Sequence, residues 1–133
     1  MPRRAREHDD PRLTDAELEI MDVLWDLDQA DVGDLVARLG DGRAYTTVAT
    51  LLKILEQKGF ARSVKDGRRL VYQPATPRPR WQSAAVGDLV RRVFGGDPQA
   101  LVRSLLGSGE VDAAELARIR ALLDEAPVTE KKS

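Results

Sequence analysis

The sequence has no cysteine, few aromatic residues and no long apolar run. Without cysteine, the chain can form neither disulfide bonds nor thiolate metal sites. Because aromatic residues make up only 5% of its 133 positions, any core must be mainly aliphatic. No apolar stretch approaches the roughly 20 residues of a membrane-spanning helix, and the charged start lacks the apolar segment of a secretory signal. We therefore expect a cytoplasmic chain of one domain or two small ones, without membrane insertion.

Residue sets that support catalysis or metal binding are also missing from the sequence. The single histidine, His8, lies in a charged segment that we predict to be disordered, and no Ser/His/Asp set or metal cluster can be assigned. The Gly-Ser-Gly at 107–109 lacks the strand, loop and helix context of a nucleotide-binding motif. We therefore predict that the protein is not an enzyme and uses no cofactor or metal.

The net charge of −1 conceals two segments of opposite sign. Residues 13–41 hold nine acids and one base, a net −8, whereas residues 42–80 hold nine bases and two acids, a net +7. Such a basic segment is typical of a surface that faces a polyanion, whatever the charge of the whole chain.

Capping signals predict two helices at the start of the folded region. Thr14 and Glu17 form a capping box, and the helix that they begin runs to about Leu27. Asp31 is the N-cap of a second helix, which stops at Gly40, a residue suited to the left-handed position after a helix. We expect the acids of the first helix to form a solvated face.

A third helix and a hairpin follow. The third helix occupies the segment 44–60 and ends at Gly59. Asp66-Gly67 between two runs rich in valine, leucine and tyrosine predicts a hairpin with strands at about 60–65 and 68–73. Three helices and a hairpin, in this order, form a winged helix.

The rest of the chain is predicted to be helical. The proline-containing tract 74–79 should exclude regular structure and act as a stiff hinge. Helices then follow at 81–94, after Asp97-Pro98 and after Asp112. These short helices carry aliphatic stripes that so small a segment cannot bury alone, which favours packing against a second copy. The candidate dimerisation residues are Leu89, Val90, Val93, Phe94, Leu101, Leu105, Leu116, Ile119, Leu122 and Leu123.

The fold class is therefore mainly α with a β-hairpin wing, a winged helix-turn-helix DNA-binding domain plus a C-terminal helical dimerisation domain. The expected divisions are a disordered N-terminal tail at 1–12, the winged-helix domain at 13–76, the dimerisation domain at 77–126 and a disordered tail at 127–133.

The third helix has an unusual outward face. Its apolar residues recur at helical spacing, whereas the opposite face is small, hydroxylated and free of acid until Glu56. In a helix-turn-helix this helix enters the major groove, where threonine and alanine allow close approach to bases and a lysine reaches guanine or phosphate. The alternative is an ordinary solvated helix face with threonines near its start.

The basic residues around this helix are candidate phosphate contacts. Cations at the hairpin tip, and Arg43 before the helix, suit phosphate without reading sequence, although plain solvent exposure would also explain them. Tyr72 either packs at the base of the wing or touches phosphate, and Trp25 is interpreted as a core residue. The candidate DNA contacts are Arg43, Tyr45, Thr46, Thr47, Thr50, Lys53, Lys65, Arg68 and Arg69.

Four stretches, in this order, resemble the BlaI/MecI penicillinase-repressor family of bacterial winged-helix regulators. They are LTDAELEIMDVLWDL, YTTVATLLKILEQKGF, DGRRLVYQP and VFGGDPQALVRSLL. The resemblance covers about residues 13–123. It implies a homodimer that binds a palindromic double-stranded DNA operator and blocks transcription, with recognition-helix positions at Thr46, Thr47, Thr50 and Lys53.

The resemblance also implies a mode of release. Beta-lactam-responsive members are inactivated by proteolysis at an Asn-Phe bond in the dimerisation region, where this chain has Ser104 and Leu105. A membrane-bound sensor protease is therefore a candidate partner, and these two residues are the candidate cleavage region. Ile54 replaces a basic residue that such proteins often carry, and the absence of cysteine excludes the copper-responsive branch.

Two functions stay open at this point. The first is a dimeric repressor, and the alternative is a winged-helix protein-interaction module without sequence-specific DNA binding. The alternative stands because the segregated charge would serve an acidic partner protein equally well.

Overall fold

The computed structural model describes residues 10–40 and 42–128. They form the following elements: α1 Asp15–Leu27, α2 Val32–Leu39, α3 Tyr45–Gln57, β1 Ala61–Asp66, β2 Arg69–Pro74, α4 Arg78–Val93, α5 Pro98–Gly107 and α6 Ala113–Glu125. In this described part, no helix combines the length and apolar character needed to cross a membrane. The chain divides into two compact units between Leu89 and Val90.

The first unit is built around the apolar stripe of α3. Val48, Leu52 and Leu55 are fully buried, as their spacing of i, i+4 and i+7 predicts. The other buried members of this core come from α1, α2, the two strands and the residues beside them, namely Ile20, Met21, Leu24, Ala30, Leu35, Phe60, Ala61 and Tyr72. The mainly aliphatic core and the predicted element order are confirmed.

The helix boundaries follow the predicted signals. In the α1 capping box, the Glu17 N–H donates to Thr14 Oγ1 at 3.1 Å, and the Thr14 N–H donates to Glu17 Oε1 at 2.9 Å. Asp31 caps α2 and forms a reciprocal pair with Asp34. Gly59, after α3, has a φ of +89°, a conformation that costs residues with a Cβ atom.

The wing is an antiparallel pair whose register runs from Ala61 opposite Pro74 to Asp66 opposite Arg69. The strands therefore begin one residue later than predicted. The loop consists of Gly67 and Arg68, and Gly67 has the positive φ that the first position of a tight hairpin loop requires.

The wing is anchored on the chain that leads into α2. The Ala30 N–H donates to the Tyr72 carbonyl at 3.0 Å, and the Tyr72 N–H donates to the Ala30 carbonyl at 2.8 Å. Beside this bridge, Gln73 Nε2 donates to Gln29 Oε1 at 3.1 Å. The position of β2 is thus fixed by backbone and side-chain bonds at the start of α2.

Two of our expectations about the segments flanking this unit need correction. α4 begins at Arg78, inside the tract that we expected to be irregular, because Pro79 falls in the first helical turn, where no partner for its missing N–H is needed. Pro11, placed in the predicted disordered tail 1–12, is buried. The rest of that tail, 1–9, and residues 129–133 of the predicted C-terminal tail lie outside the described residues.

A tryptophan pair joins these flanking segments to α1. The rings of Trp25 and Trp81 lie 5.6 Å apart, and the Arg78 guanidinium lies 5.2 Å from the Trp25 ring centroid. Trp81 Nε1 donates to the Pro11 carbonyl at 2.6 Å, and Trp25 Nε1 donates to the Thr76 carbonyl at 2.8 Å. The first part of α4 therefore belongs to the first unit, and the observed division lies beyond the expected boundary at 76.

The second unit comprises the end of α4, then α5 and α6. Asp97 caps α5, with Pro98 as its first residue, and Asp112 and Glu115 form a capping box for α6, as expected. Within the described residues, α5 and α6 contain no buried side chain.

The acids of α1 were expected to be solvated, and Glu17 contradicts this. Its side chain is 3% exposed, and Lys58 Nζ lies 2.8 and 3.0 Å from its two carboxylate oxygens. Burial raises the pKa of Glu17, but the hydrogen bonds from Lys58 and from the Thr14 N–H outweigh it, so the pKa lies below its ordinary value of 4.5. The pair joins the start of α1 to the residue after α3.

We expect Glu17→Gln to lower the free energy of unfolding at neutral pH by about 1–3 kcal/mol, because it removes a buried charged hydrogen bond. A lowered folded pKa gives stability that is complete above about pH 4.5 and is lost as pH falls through the folded value. Urea unfolding should therefore show a smaller loss between about pH 7 and pH 3 in Glu17→Gln than in the parent. Asp15→Asn, an exposed acid of the same helix, is the control, and an equal flattening there would contradict the assignment.

Candidate nucleic-acid interface

The outward face of α3 lies opposite its buried stripe. Tyr45 is 59% exposed, and Thr46, Thr47, Thr50 and Lys53 are also exposed. Ala49 is partly covered by its neighbours. Five of the predicted DNA contacts thus share one accessible surface, which carries hydroxyls, an aromatic ring and one cation.

The start of α3 differs from the starts of α1 and α2. Its N-cap is Ala44, which offers no side-chain acceptor, and its first turn contains no acid. Both earlier helices begin with a capping box that contains a carboxylate. The free N–H groups of a helix start carry partial positive charge and bind anions such as phosphate. This end of α3 is therefore open to an anion.

A groove separates α3 from the wing. Its walls come from the start of α2, the exposed face of α3 and strand β2, and its lining includes Tyr45, Lys53, Arg69 and Leu70. The groove brings a cation of α3, Lys53, and a cation of the wing, Arg69, to the same depression of the surface.

The five predicted cations fall into two groups. Lys53, Lys65 and Arg68 are exposed and form no ion pair within the described residues. Arg43 forms an ion pair with Glu19 of α1. Neither of the predicted environments of Arg43, a phosphate contact or plain solvent exposure, included this pair. Arg69 contacts two carboxylates at the start of α2. The structure thus leaves three of these side chains unpaired and places the other two beside acids.

The geometry at Arg69 is well defined. Its Nη2 lies 3.0 Å from Asp31 Oδ2 and 3.2 Å from Asp34 Oδ2, and its Nε lies 3.2 Å from Asp31 Oδ2. The backbone N–H of Asp34, followed by Arg69, holds the pKa of the Asp31 carboxyl below its ordinary value, and Asp31 raises the pKa of Arg69. Both groups are therefore charged at neutral pH.

Tyr72 packs at the base of the wing, as one of its two interpretations proposed. It is 3% exposed, and burial raises its pKa. A side chain so covered cannot contact phosphate. No sequence signal indicated the acids that pair with Arg43 and Arg69, because those partners lie 24 and 35–38 residues away.

The second unit carries the other predicted site residues. Val93, Leu105, Leu122 and Leu123 are exposed apolar side chains, as is Leu89, the last residue of the first unit. The remaining members are partly buried: Val90, Phe94, Leu101, Leu116 and Ile119. Ser104 of the candidate cleavage region is exposed on α5.

A family model described as "Penicillinase repressor" matches residues 13–125. The chain belongs to the penicillinase repressor family. This confirms the resemblance seen in the sequence, and the protein is a DNA-binding repressor of the winged-helix type.

The chain is also similar to individual proteins. The chain is 25% identical over 117 residues to the penicillinase repressor of Bacillus licheniformis, which covers 86% of this chain and 91% of that protein. It is 26% identical over 113 residues to an uncharacterised 16.5 kDa protein of Latilactobacillus sakei, covering 84% and 77% of the two chains. The solution structure of the DNA-binding domain of the repressor BlaI is similar over 51% of this chain and 85% of that chain, with 31% identity and a TM-score of 0.46.

The open start of α3 can be tested by giving it a cap. We expect Ala44→Ser and Ala44→Asp each to raise the free energy of unfolding by about 0.5–2 kcal/mol, because their side chains can accept from the first-turn N–H groups. Ala44→Asp should also weaken DNA binding, since its charge would repel phosphate, whereas Ala44→Ser keeps the site neutral. Thermal unfolding and duplex titration measure the two effects. Equal DNA affinity in the two variants would mean that this helix end does not approach phosphate.

Proposed function

We propose that this repressor binds a palindromic operator as a homodimer, with α3 of each copy in a major groove. The observation that carries the proposal is the exposed, acid-free face of α3 beside an uncapped helix start. A solvated helix face needs neither feature, whereas both favour a groove-reading helix, because it must approach bases and phosphate closely.

Residues of α3 divide between reading bases and binding the backbone. Thr46, Thr47 and Thr50 are short hydroxyl side chains that suit base edges and thymine methyl groups. Lys53 lies further along the same face, within the groove beside the wing, and suits guanine or phosphate. Tyr45 is exposed in the first turn and would contact the sugar–phosphate backbone.

The basic residues outside α3 are proposed as phosphate contacts. Lys65 and Arg68 lie at or beside the loop of the wing and are unpaired within the described residues, so they are free to reach DNA. Arg43 and Arg69 contribute after exchanging their carboxylate partners for phosphate. These contacts add affinity without base preference.

The second unit is proposed as the dimerisation region. Leu122 and Leu123 are 65% and 67% exposed, and α5 and α6 contain no buried side chain in the described chain. Burying a leucine stabilises by about 1.5–3 kcal/mol, so a second copy is the occupant that this aliphatic surface favours. Two joined copies bind two half-sites with an effective concentration that a single copy lacks.

Release from the operator would follow from losing this dimer. The candidate cleavage region, Ser104 and Leu105, lies in α5, a ten-residue helix between the positive-φ glycines Gly96 and Gly109. A helix this short is marginal alone, so a protease can gain access by local unfolding. We propose a cytoplasmic repressor whose partner at this step is a membrane-bound sensor protease.

The function is tested by selecting bound duplexes from a random pool at low and at high salt. We expect a palindromic motif whose half-sites lie about 10 base pairs apart, or a multiple of that. Leu122→Asp should shift sedimentation toward the monomer and enrich half-sites with weaker binding. Binding without any enriched motif, lost uniformly as salt rises, would contradict the proposal and favour the protein-interaction alternative.

The reading residues are tested by Lys53→Ala and Thr50→Ala on the selected operator. Each should weaken binding by about 1–3 kcal/mol, because a base contact is lost, while the dimer stays intact. Thr50→Ala should relax the preference at one base pair, and Arg80→Ala, which removes an exposed charge on α4, should leave that preference unchanged. Parental affinity in both α3 variants would remove these residues from the interface.

A further inference from the structure

Arg69 is a wing cation that forms ion pairs with two acids. It contacts Asp31 and Asp34 at 3.0–3.2 Å, and these two residues also form the capping box that begins α2. The three side chains are 52%, 31% and 50% exposed, so water and ions reach all of them. Two of the three, Asp31 and Arg69, line the groove that separates α3 from the wing.

This cluster is not required to hold the wing in place. Two backbone hydrogen bonds between Ala30 and Tyr72 already fix β2 against the segment before α2, and the bond between Gln29 and Gln73 adds a third link. An ion pair at this exposure contributes little to stability, less than those bonds together. The contacts of Arg69 are therefore weak enough to be exchanged for others.

The position of the two acids bears directly on DNA binding. A carboxylate within a phosphate-binding surface repels DNA unless a cation neutralises it, and the chain places acids there in spite of that cost. We infer that Asp31 and Asp34 act as counter-ions of Arg69, compete with DNA phosphate for its guanidinium, and so set the affinity and salt dependence of the wing. The inference rests on the proposed DNA contact by the wing.

Exchange of carboxylate for phosphate at Arg69 should appear in the salt dependence of DNA affinity. A cation that contacts phosphate adds about 0.9 to the slope of log affinity against log salt, because a counter-ion leaves the DNA. Where protein carboxylates hold that cation, its contact forms only partly and the slope stays lower. Freeing Arg69 should therefore steepen the slope by up to about 0.9, which is about 3.5-fold more affinity lost between 50 and 200 mM salt.

The test uses the full chain with Asp31→Asn and Asp34→Asn together. Asparagine keeps an oxygen that accepts the capping hydrogen bonds, so α2 should stay intact. On a random-sequence duplex at about 50 mM salt, we expect affinity to rise about three- to tenfold, and the salt slope to steepen by about 0.9. The matched control is Asp15→Asn with Asp28→Asn, which makes the same charge change at two exposed acids without side-chain bonds in the described structure, and its slope should match the parent.

Arg69→Gln provides the second arm. It leaves both carboxylates facing DNA, so it should weaken binding more than Arg68→Gln, which removes a neighbouring unpaired cation. Adding Asp31→Asn and Asp34→Asn to Arg69→Gln should recover the lost DNA affinity. The salt slope should not steepen, because no cation is freed.

Four results would overturn the inference. If the control pair gains as much DNA affinity and salt slope, the effect is explained by net charge alone. If Asp31→Asn with Asp34→Asn weakens binding, the ion pairs of Arg69 are needed to hold the wing in place. Absence of DNA binding in the parent would overturn the proposed function along with the inference. If the parent binds DNA and the variant with Asp31→Asn and Asp34→Asn has the same affinity and salt slope, only the inference is overturned.

Discussion

The burial of one apolar stripe on α3 is the constraint on which the DNA-binding unit depends. Val48, Leu52 and Leu55 have no exposed surface, and rotating the helix by one residue would bring leucine to water and threonine or lysine into the core. Each apolar side chain lost from the core costs about 1.5–3 kcal/mol. The orientation of α3 is thus determined by its inner face, and under the proposed function the residues left outside are those that read bases.

The wing depends on the same core through a different contact. Tyr72 is buried in it, and its backbone bonds to Ala30 join β2 to the chain just before α2. The loop cations therefore extend from a fixed base at the side of α3. Because the anchor is backbone pairing, the side chains around it, including Arg69 and its acidic partners, stay free to serve binding.

The local features of this fold were predictable, and the long-range charge contacts were not. The capping box of Thr14 and Glu17, the stripe of α3 and the hairpin each depend on neighbours a few residues apart, and periodicity and turn chemistry capture these. Glu17 with Lys58, and Asp31 with Arg69, join residues 41 and 38 positions apart, which no local pattern encodes. The segregation into −8 and +7 segments correctly indicated a polyanion partner, but it did not show that folding brings acids of the first segment against bases of the second. Pro79 misled differently, since a proline in a first helical turn is as acceptable as one in a hinge.

The two units differ in how completely they bury their apolar side chains, and this difference affects how DNA binding would be controlled. The first buries a contiguous core within one chain, so the surface proposed to face DNA does not depend on a second copy to form. In the second, the aliphatic side chains of α5 and α6 stay partly or fully exposed, so its stability is tied to what covers them. If a second copy covers them, a cut in α5 removes the dimer and spares the reading face. Under the proposed function, affinity then falls because a single copy lacks the effective concentration that joins two half-sites.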